Sequence, residues 1–361
     1  MNKPSIFRNY LQLHSLLISL SIITFSSFVF ANELNDKFLG KWMLNLQQPG
    51  GDLIGLLELK KEGNDIFGYV EGGPIGVAID GMSIELTVDS RDVAARKFDR
   101  ILKGTLQQNK DGDIQIAGTY ISTAAGAEKI GPRNWSATVN IEPQQDKKLA
   151  PKPVDFSGIW TPGPGIDLRK YHMDTTAEAE AFVSGYDPNM DQPPLRCLSP
   201  GLVQLFGYPY PLEFVHAKDR IFIINEGFGQ VRQIYMDGRS APDYYPESLM
   251  GFSVGHWDGS ELVVETTKLQ ANIRDFRGEP LSGETRVEER YTLSDDGNSL
   301  FGVLKIFDPE NYKQPPIRRT VRNRNTDVVI LPYECDPDSF YRQLDQEDKM
   351  DEYWSRTDKR L

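Results

Sequence analysis

The feature that most restricts how this chain can fold is a duplicated pentapeptide. Phe38-Leu39-Gly40-Lys41-Trp42 and Phe156-Ser157-Gly158-Ile159-Trp160 both read F-x-G-x-W. Each copy opens a long run of short segments in which apolar and polar residues alternate, broken by Gly, Asp and Asn. A start signal used twice, each time ahead of the same pattern, implies two similar units in tandem, each with its own core. Between them Gln144–Pro153 is polar and Pro-bearing, the composition of a linker. The organisation expected is a leader over 1–31, an N-terminal β domain over 32–143, a linker over 144–153, a C-terminal β domain over 154–337 and an acidic tail over 338–361. The tail reads as a marginal helix with Phe340, Leu344, Tyr353 and Trp354 as its apolar contacts.

Alternation with period two predicts strands at Leu53–Leu59, Ile66–Val70, Ser83–Val88, Arg100–Leu106, Ile114–Ile121 and Ala137–Ile141 in the first half. In the second half it predicts Leu212–His216, Arg220–Asn225, Gln230–Met236, Gly251–Trp257 and Glu261–Thr267. Thr285–Leu293, Ser299–Phe307, Arg318–Arg322 and Val328–Tyr333 complete the set. Asp237-Gly238, Asp258-Gly259 and Asp296-Gly297 are turn dipeptides between such runs. One short helix is expected at Thr175–Ser184, with Thr175-x-x-Glu178 as its capping box and Gly185 as its stop. The fold class is therefore all-β: two antiparallel barrels or sandwiches in tandem, with few short helices.

Gly40-x-Trp42 and Gly158-x-Trp160, each near the start of a first strand ahead of an up-and-down series, resemble the lipocalin (calycin) superfamily. The resemblance implies lipocalin-like barrels, and an arginine packed on that tryptophan, which the sequence does not assign. A sandwich stays open beside a closed barrel. The second half, from about Asp155 to Asp336, is also similar to a large group of uncharacterised exported bacterial proteins. Tyr235-x-Asp237-Gly238-Arg239, Gly251-x-Ser253-x-Gly255-x-Trp257-x-Gly259 and Leu262-Val263-Val264-Glu265-Thr266 carry that similarity. It brings no established activity with it.

Lys3 and Arg8, the apolar run from Leu16 to Ile23 and Val29-x-Ala31 have the layout of a secretory signal peptide cleaved before Asn32. A periplasmic or secreted protein is expected, with no integral membrane span once the leader is removed. Export makes the two cysteines informative, because an oxidising compartment favours pairing Cys197 with Cys335. Such a bridge closes a long loop and contributes up to roughly 5 kcal/mol of chain entropy, less any strain. With 40 Lys+Arg against 52 Asp+Glu and a net charge of −12, nucleic acid is excluded as a partner, since phosphate binding needs clustered excess cations.

Catalytic spacing is mostly missing: there is no G-x-S-x-G, H-E-x-x-H, P-loop or G-x-G-x-x-G. Glu213-x-x-His216 has helical ligand spacing but falls in a strand, where the two side chains face opposite ways, so no metal set is expected, and no cofactor. His256 is the candidate for proton transfer, with an ordinary pKa near ~6.5. Asp275, held ionised by Arg274 and Arg277, is the carboxylate that would orient it. Arg274, Asp243, Tyr245, Tyr235 and Glu247 are candidate ligand contacts, because rings stack on apolar faces while carboxylates accept hydroxyl protons. These polar groups are expected on loops and strand ends around one cavity mouth. In the basic run, Arg318, Thr320 and Arg322 share one strand face, where a salt-laced sheet opposite Glu265, Glu288 and Glu289 is expected.

Three functions fit this reading. The first is a binding protein for a small apolar or aromatic molecule, held in a barrel. The second is a cavity enzyme doing metal-independent acid–base chemistry, of isomerase, hydratase or cyclase type. The third is an envelope partner-binding protein that uses the tail or a sheet edge. An apolar interior favours the first, a converging His and carboxylate the second, and a barrel filled by side chains the third.

Overall fold

In both copies of the pentapeptide the tryptophan reaches back to its own start. Trp42 Nε1 donates to Phe38 O at 2.8 Å, and Trp160 Nε1 donates to Phe156 O at 2.9 Å. The glycine between them takes a positive φ, 121° at Gly40 and 112° at Gly158, where an L side chain is strained. Both phenylalanines are fully buried. The motif is a folded corner that closes the base of a barrel and turns the chain into its first strand.

The computed structural model of the protein describes residues 36–48, 52–88, 100–122, 131–139, 150–163 and 173–356. The leader, most of the expected linker, His172 and the end of the tail lie outside these residues. The first barrel consists of β1 (Gly40–Leu46), β2 (Leu53–Glu62), β3 (Asp65–Val70), β4 (Gly73–Asp80), β5 (Ser83–Val88), β6 (Arg100–Gln108), β7 (Ile114–Ser122) and β8 (Arg133–Val139). Neighbours pair antiparallel in sequence order, and β8 closes on β1 through Leu44↔Ala137. Buried positions alternate along β1, β2 and β5, so one face of each points inward. Leu44, Leu57, Leu86 and Trp135 fill the interior. A side chain on Gly104 would meet the Trp135 ring at 2.6 Å, so the missing Cβ makes room for the indole. β4 is not expected from sequence, because Gly73, Pro74 and Gly76 read as turn residues.

The second barrel closes nine strands: β9 (Gly158–Pro162), β10 (Leu212–His216), β11 (Arg220–Asn225), β12 (Gln230–Tyr235), β13 (Phe252–Asp258), β14 (Glu261–Thr267), β17 (Arg286–Leu293), β18 (Ser299–Phe307) and β19 (Ile317–Arg324). All pair antiparallel except β12 and β13, whose parallel pairing puts Ile234 beside Ser253. The chain between β14 and β17 makes an excursion whose β15 (Asn272–Ile273) and β16 (Pro280–Leu281) form a small ribbon. A sandwich is thereby excluded in favour of two closed barrels.

Helices are few. α1 (Ala177–Gly185) is capped by Thr176, whose hydroxyl accepts from Ala179 N, one residue later than the expected cap. α2 (Gly201–Leu205), unforeseen because it is a single buried turn, lies over one end of the second barrel. The tail forms two helices, α3 (Pro337–Gln346) and α4 (Met350–Ser355), which bury Phe340, Leu344 and Tyr353 against Met190; Trp354 stays exposed. Cys197 and Cys335 form a disulfide across 138 residues. Val328–Tyr333 is irregular chain rather than a strand, since β19 already completes the barrel with β9. Among the described residues no helix is long and apolar enough to cross a membrane.

Candidate functional site

The second barrel carries charge at its centre. Arg232 on β12 and Glu289 on β17 are both buried and form a two-armed ion pair, with Arg232 Nη1 donating to Glu289 Oε1 at 2.9 Å. Arg232 also donates to Ser253 Oγ at 2.9 Å and Thr266 Oγ1 at 2.7 Å, while Tyr291 OH donates to Glu289 Oε1 at 2.7 Å. These groups sit in mid-strand on the inward face. Between this floor and α2 lies a cavity of about 20 Å³, walled by Leu202, Phe206, Phe214 and Leu300 and reached by Asn225 and Arg322. That is room for one water-sized occupant, which needs roughly 10–15 Å³.

Arg322 on β19 is the unusual member. It is 2% exposed, and its Nη1 and Nη2 donate to Tyr210 O at 2.8 Å and Tyr208 O at 3.1 Å. Its Nε has no partner. Burial pushes its pKa down to about 10. Its neighbour Arg318 donates to the carbonyls of Val203 and Arg274 and so fastens α2 to the excursion. Arg318 and Arg322 therefore face inward, which corrects the expected salt-laced outer face. β18 stands between β17 and β19, so neither arginine is paired in register with Glu288 or Glu289.

The excursion holds a second ionic cluster. Arg274, Asp275, Arg277 and Glu279 are all buried. Arg274 pairs with Glu279 and with Asp275 (3.0 Å), and Arg277 Nη2 donates to Asp275 Oδ2 at 2.6 Å. Burial opposes the charge on Asp275, but Arg277 and Arg274 outweigh it and hold its carboxyl below the usual range. Tyr186 packs on Gly278, and its hydroxyl is buried with no partner.

The sequence candidates do not assemble around one mouth. His256 is exposed on β13, in register with Val263 and next to the Asp258–Glu261 hairpin. The excursion bearing Asp275 leaves from the other end of that strand pair, where Phe252 meets Thr267. His256 and Asp275 are thus set apart by strand register, and Asp275 is already committed to two arginines. Tyr235 and Tyr245 each pack against Phe252, at ring separations of 5.0 and 4.9 Å. Arg239 and Arg220 flank the Tyr235 ring from outside the barrel. Asp243 and Glu247 are exposed in the loop between β12 and β13, and Arg274 is enclosed in its own ion pairs. The buried polar centre draws Arg232 and Glu289 from mid-strand, and Asn225, Ser253 and Thr266 from positions at or next to strand ends. Only Arg322 within the basic run carried a signal for it, and Arg232, Glu289 and Asn225 carried none, since an alternating strand reads alike whichever face is buried.

No family model matches the chain, and no curated protein matches it. Among solved structures it is similar to a protein of unknown function of the DUF3598 family from Nostoc punctiforme, 9% identical, covering 80% of this chain and 96% of that one with a TM-score of 0.23. A likeness at that score carries no argument.

Proposed function

We propose that the protein is an exported, calycin-like binding protein that holds a small apolar or aromatic molecule in its second barrel, beneath α2. The observation that carries this reading is the cavity itself: aliphatic and aromatic walls, a few polar groups, and a lid that is one short helix. Ligand entry requires the lid to lift, because the closed space admits only a water-sized occupant. The lid is held by Arg318 to Val203 O, by Leu202 N to Leu249 O and by Gln204 Nε2 to Ile273 O, and Arg322 holds the Tyr208–Tyr210 segment that follows it.

Further support for the calycin-like part comes from Arg324, whose guanidinium lies 4.3 Å from the Trp160 ring centroid, the arginine-on-tryptophan pairing that the resemblance implies. The disulfide and the leader-like sequence support export. The enzyme alternative is disfavoured because His256 is exposed while Asp275 is buried against its own arginines; the partner alternative gains from the nearly filled interior, but closed barrels have no free sheet edge and the tail packs on its own chain.

The test is native mass spectrometry of protein purified from the producing cell, followed by thermal shift with fatty acids of graded length and aromatic acids. A co-purifying small molecule, or a saturating rise in Tm that Leu205→Trp abolishes by filling the space, supports the reading. Apo mass throughout and no shift with any probe overturns it.

A further inference from the structure

Charge around the second-barrel cavity does not balance. Three ionised side chains line it: Arg232, Arg322 and Glu289. Glu289 is saturated by both arms of Arg232 and by the Tyr291 hydroxyl, and it forms no ion pair with Arg322. Among the described residues Arg322 has no carboxylate within salt-bridge distance; two backbone carbonyls hold its Nη groups and its Nε faces no acceptor. Leaving a guanidinium in a low-dielectric interior without a counter-charge costs several kcal/mol. Arginine cannot escape that cost by losing its proton at neutral pH. A water in that space would bring no charge.

We propose that the cavity beside Arg322 binds a single monatomic monovalent anion of chloride size, which supplies the missing counter-charge. The room of about 20 Å³ excludes sulfate, phosphate and any carboxylate with a chain attached while α2 is closed. Arg322 Nε donates to the ion, and Asn225 and Thr320, which also line the cavity, complete its shell. The ion sits under the segment Tyr208–Tyr210, whose carbonyls share the same guanidinium, so occupancy steadies the lid as well as the floor. This inference does not depend on the apolar ligand, because the ion fits the closed barrel as it stands.

The experiment uses the full mature chain and bromide as the probe. Crystals grown without halide and soaked in bromide should show an anomalous peak within contact of Arg322 Nε. In solution, sodium chloride should raise Tm relative to sodium gluconate at equal ionic strength, saturably, by roughly 3–6 °C at tenfold the dissociation constant. Arg322→Met should lose the chloride-specific part. If that variant fails to fold, the wild-type crystal decides alone. An ordered water with no anomalous signal, or equal Tm in chloride and gluconate, overturns the proposal. A halide peak in protein that binds no apolar probe leaves this inference standing while removing the function proposed above.

Discussion

Arg324 shows how much one side chain can bind together. Its guanidinium lies over Trp160, Nε donates to Gly297 O at 3.1 Å, and Nη1 donates to Ser157 O. It thus ties β19 to the folded corner at the start of β9. Replacing it by Met keeps most of the apolar stem but removes the cation–π contact and both hydrogen bonds. A loss of about 2–3 kcal/mol is expected from those contributions, read as a lower urea midpoint with unchanged slope. Arg232 and Glu289 call for a double-mutant cycle. Either Arg232→Met or Glu289→Leu alone should cost about 3–5 kcal/mol by stranding a buried charge, whereas the double variant should recover most of it. Additive losses in chemical denaturation would mean that the two charges act independently.

At the scale of elements, the excursion between β14 and β17 combines buried ion pairs with apolar anchors, Leu269, Ile273 and Leu281. The carboxyl of Asp275 titrates lower in the folded protein than in the unfolded chain, where the ordinary value is near ~3.9. Its contribution is therefore complete above that value and is lost as pH falls through the lower folded value. Asp275→Asn should destabilise the protein at neutral pH by roughly 3–5 kcal/mol and remove that part of the acid sensitivity, measured as Tm between pH 7 and pH 2. An unchanged acid profile would mean that other carboxylates govern it. The tail depends on its bridge in a comparable way. Cys197 and Cys335 close a loop of 138 residues. Cys197→Ser with Cys335→Ser should cost about 2–5 kcal/mol and raise hydrogen exchange first in α3 and α4, whose small cluster around Phe340 and Tyr353 lies outside the barrel cores.

Across the whole molecule, the two barrels meet at Glu71. It is buried, has φ of 53°, accepts from Arg319 Nε at 2.8 Å, and its carbonyl accepts from Ile317 N at 2.9 Å. Lys60 Nζ donates to Gln314 Oε1 at 2.9 Å alongside. These polar contacts stand beside a close approach of Gly72 to Pro315, and buried apolar residues of both barrels form one continuous cluster, while each barrel closes its own sheet. Limited proteolysis is expected to cut between Gln144 and Pro153 and release two fragments that each retain β-type circular dichroism. Failure of either to fold would show that the halves need each other. Intact mass of exported protein should correspond to a start at Asn32; a mass that includes residues 1–31 would overturn cleavage there.

Most of the strand order was legible in the sequence because alternation and turn dipeptides are local, and Leu212–His216, Arg220–Asn225, Glu261–Thr267 and Ser299–Phe307 fall where the pattern puts them. The two tandem β units were legible because F-x-G-x-W is a local corner, whose glycine φ and Trp–Phe hydrogen bond need no distant partner, whereas their closure into barrels was not. The disulfide followed from the cysteine number and from the export expected of a leader-like start. The site was not legible. Alternation says that Arg318 and Arg322 share a face but not which face is inside, and only closure of β19 on β9 turns them inward. Local sequence likewise puts no distance between His256 and Asp275, whereas register places His256 toward the hairpin end of β13 and starts the excursion that carries Asp275 from the other end. Residues that belong to one turn or one strand are governed by short-range sterics and hydrogen bonding. Groups drawn from Arg232, Glu289 and Arg322 meet only when the sheet closes, so tertiary structure alone decided the candidate site.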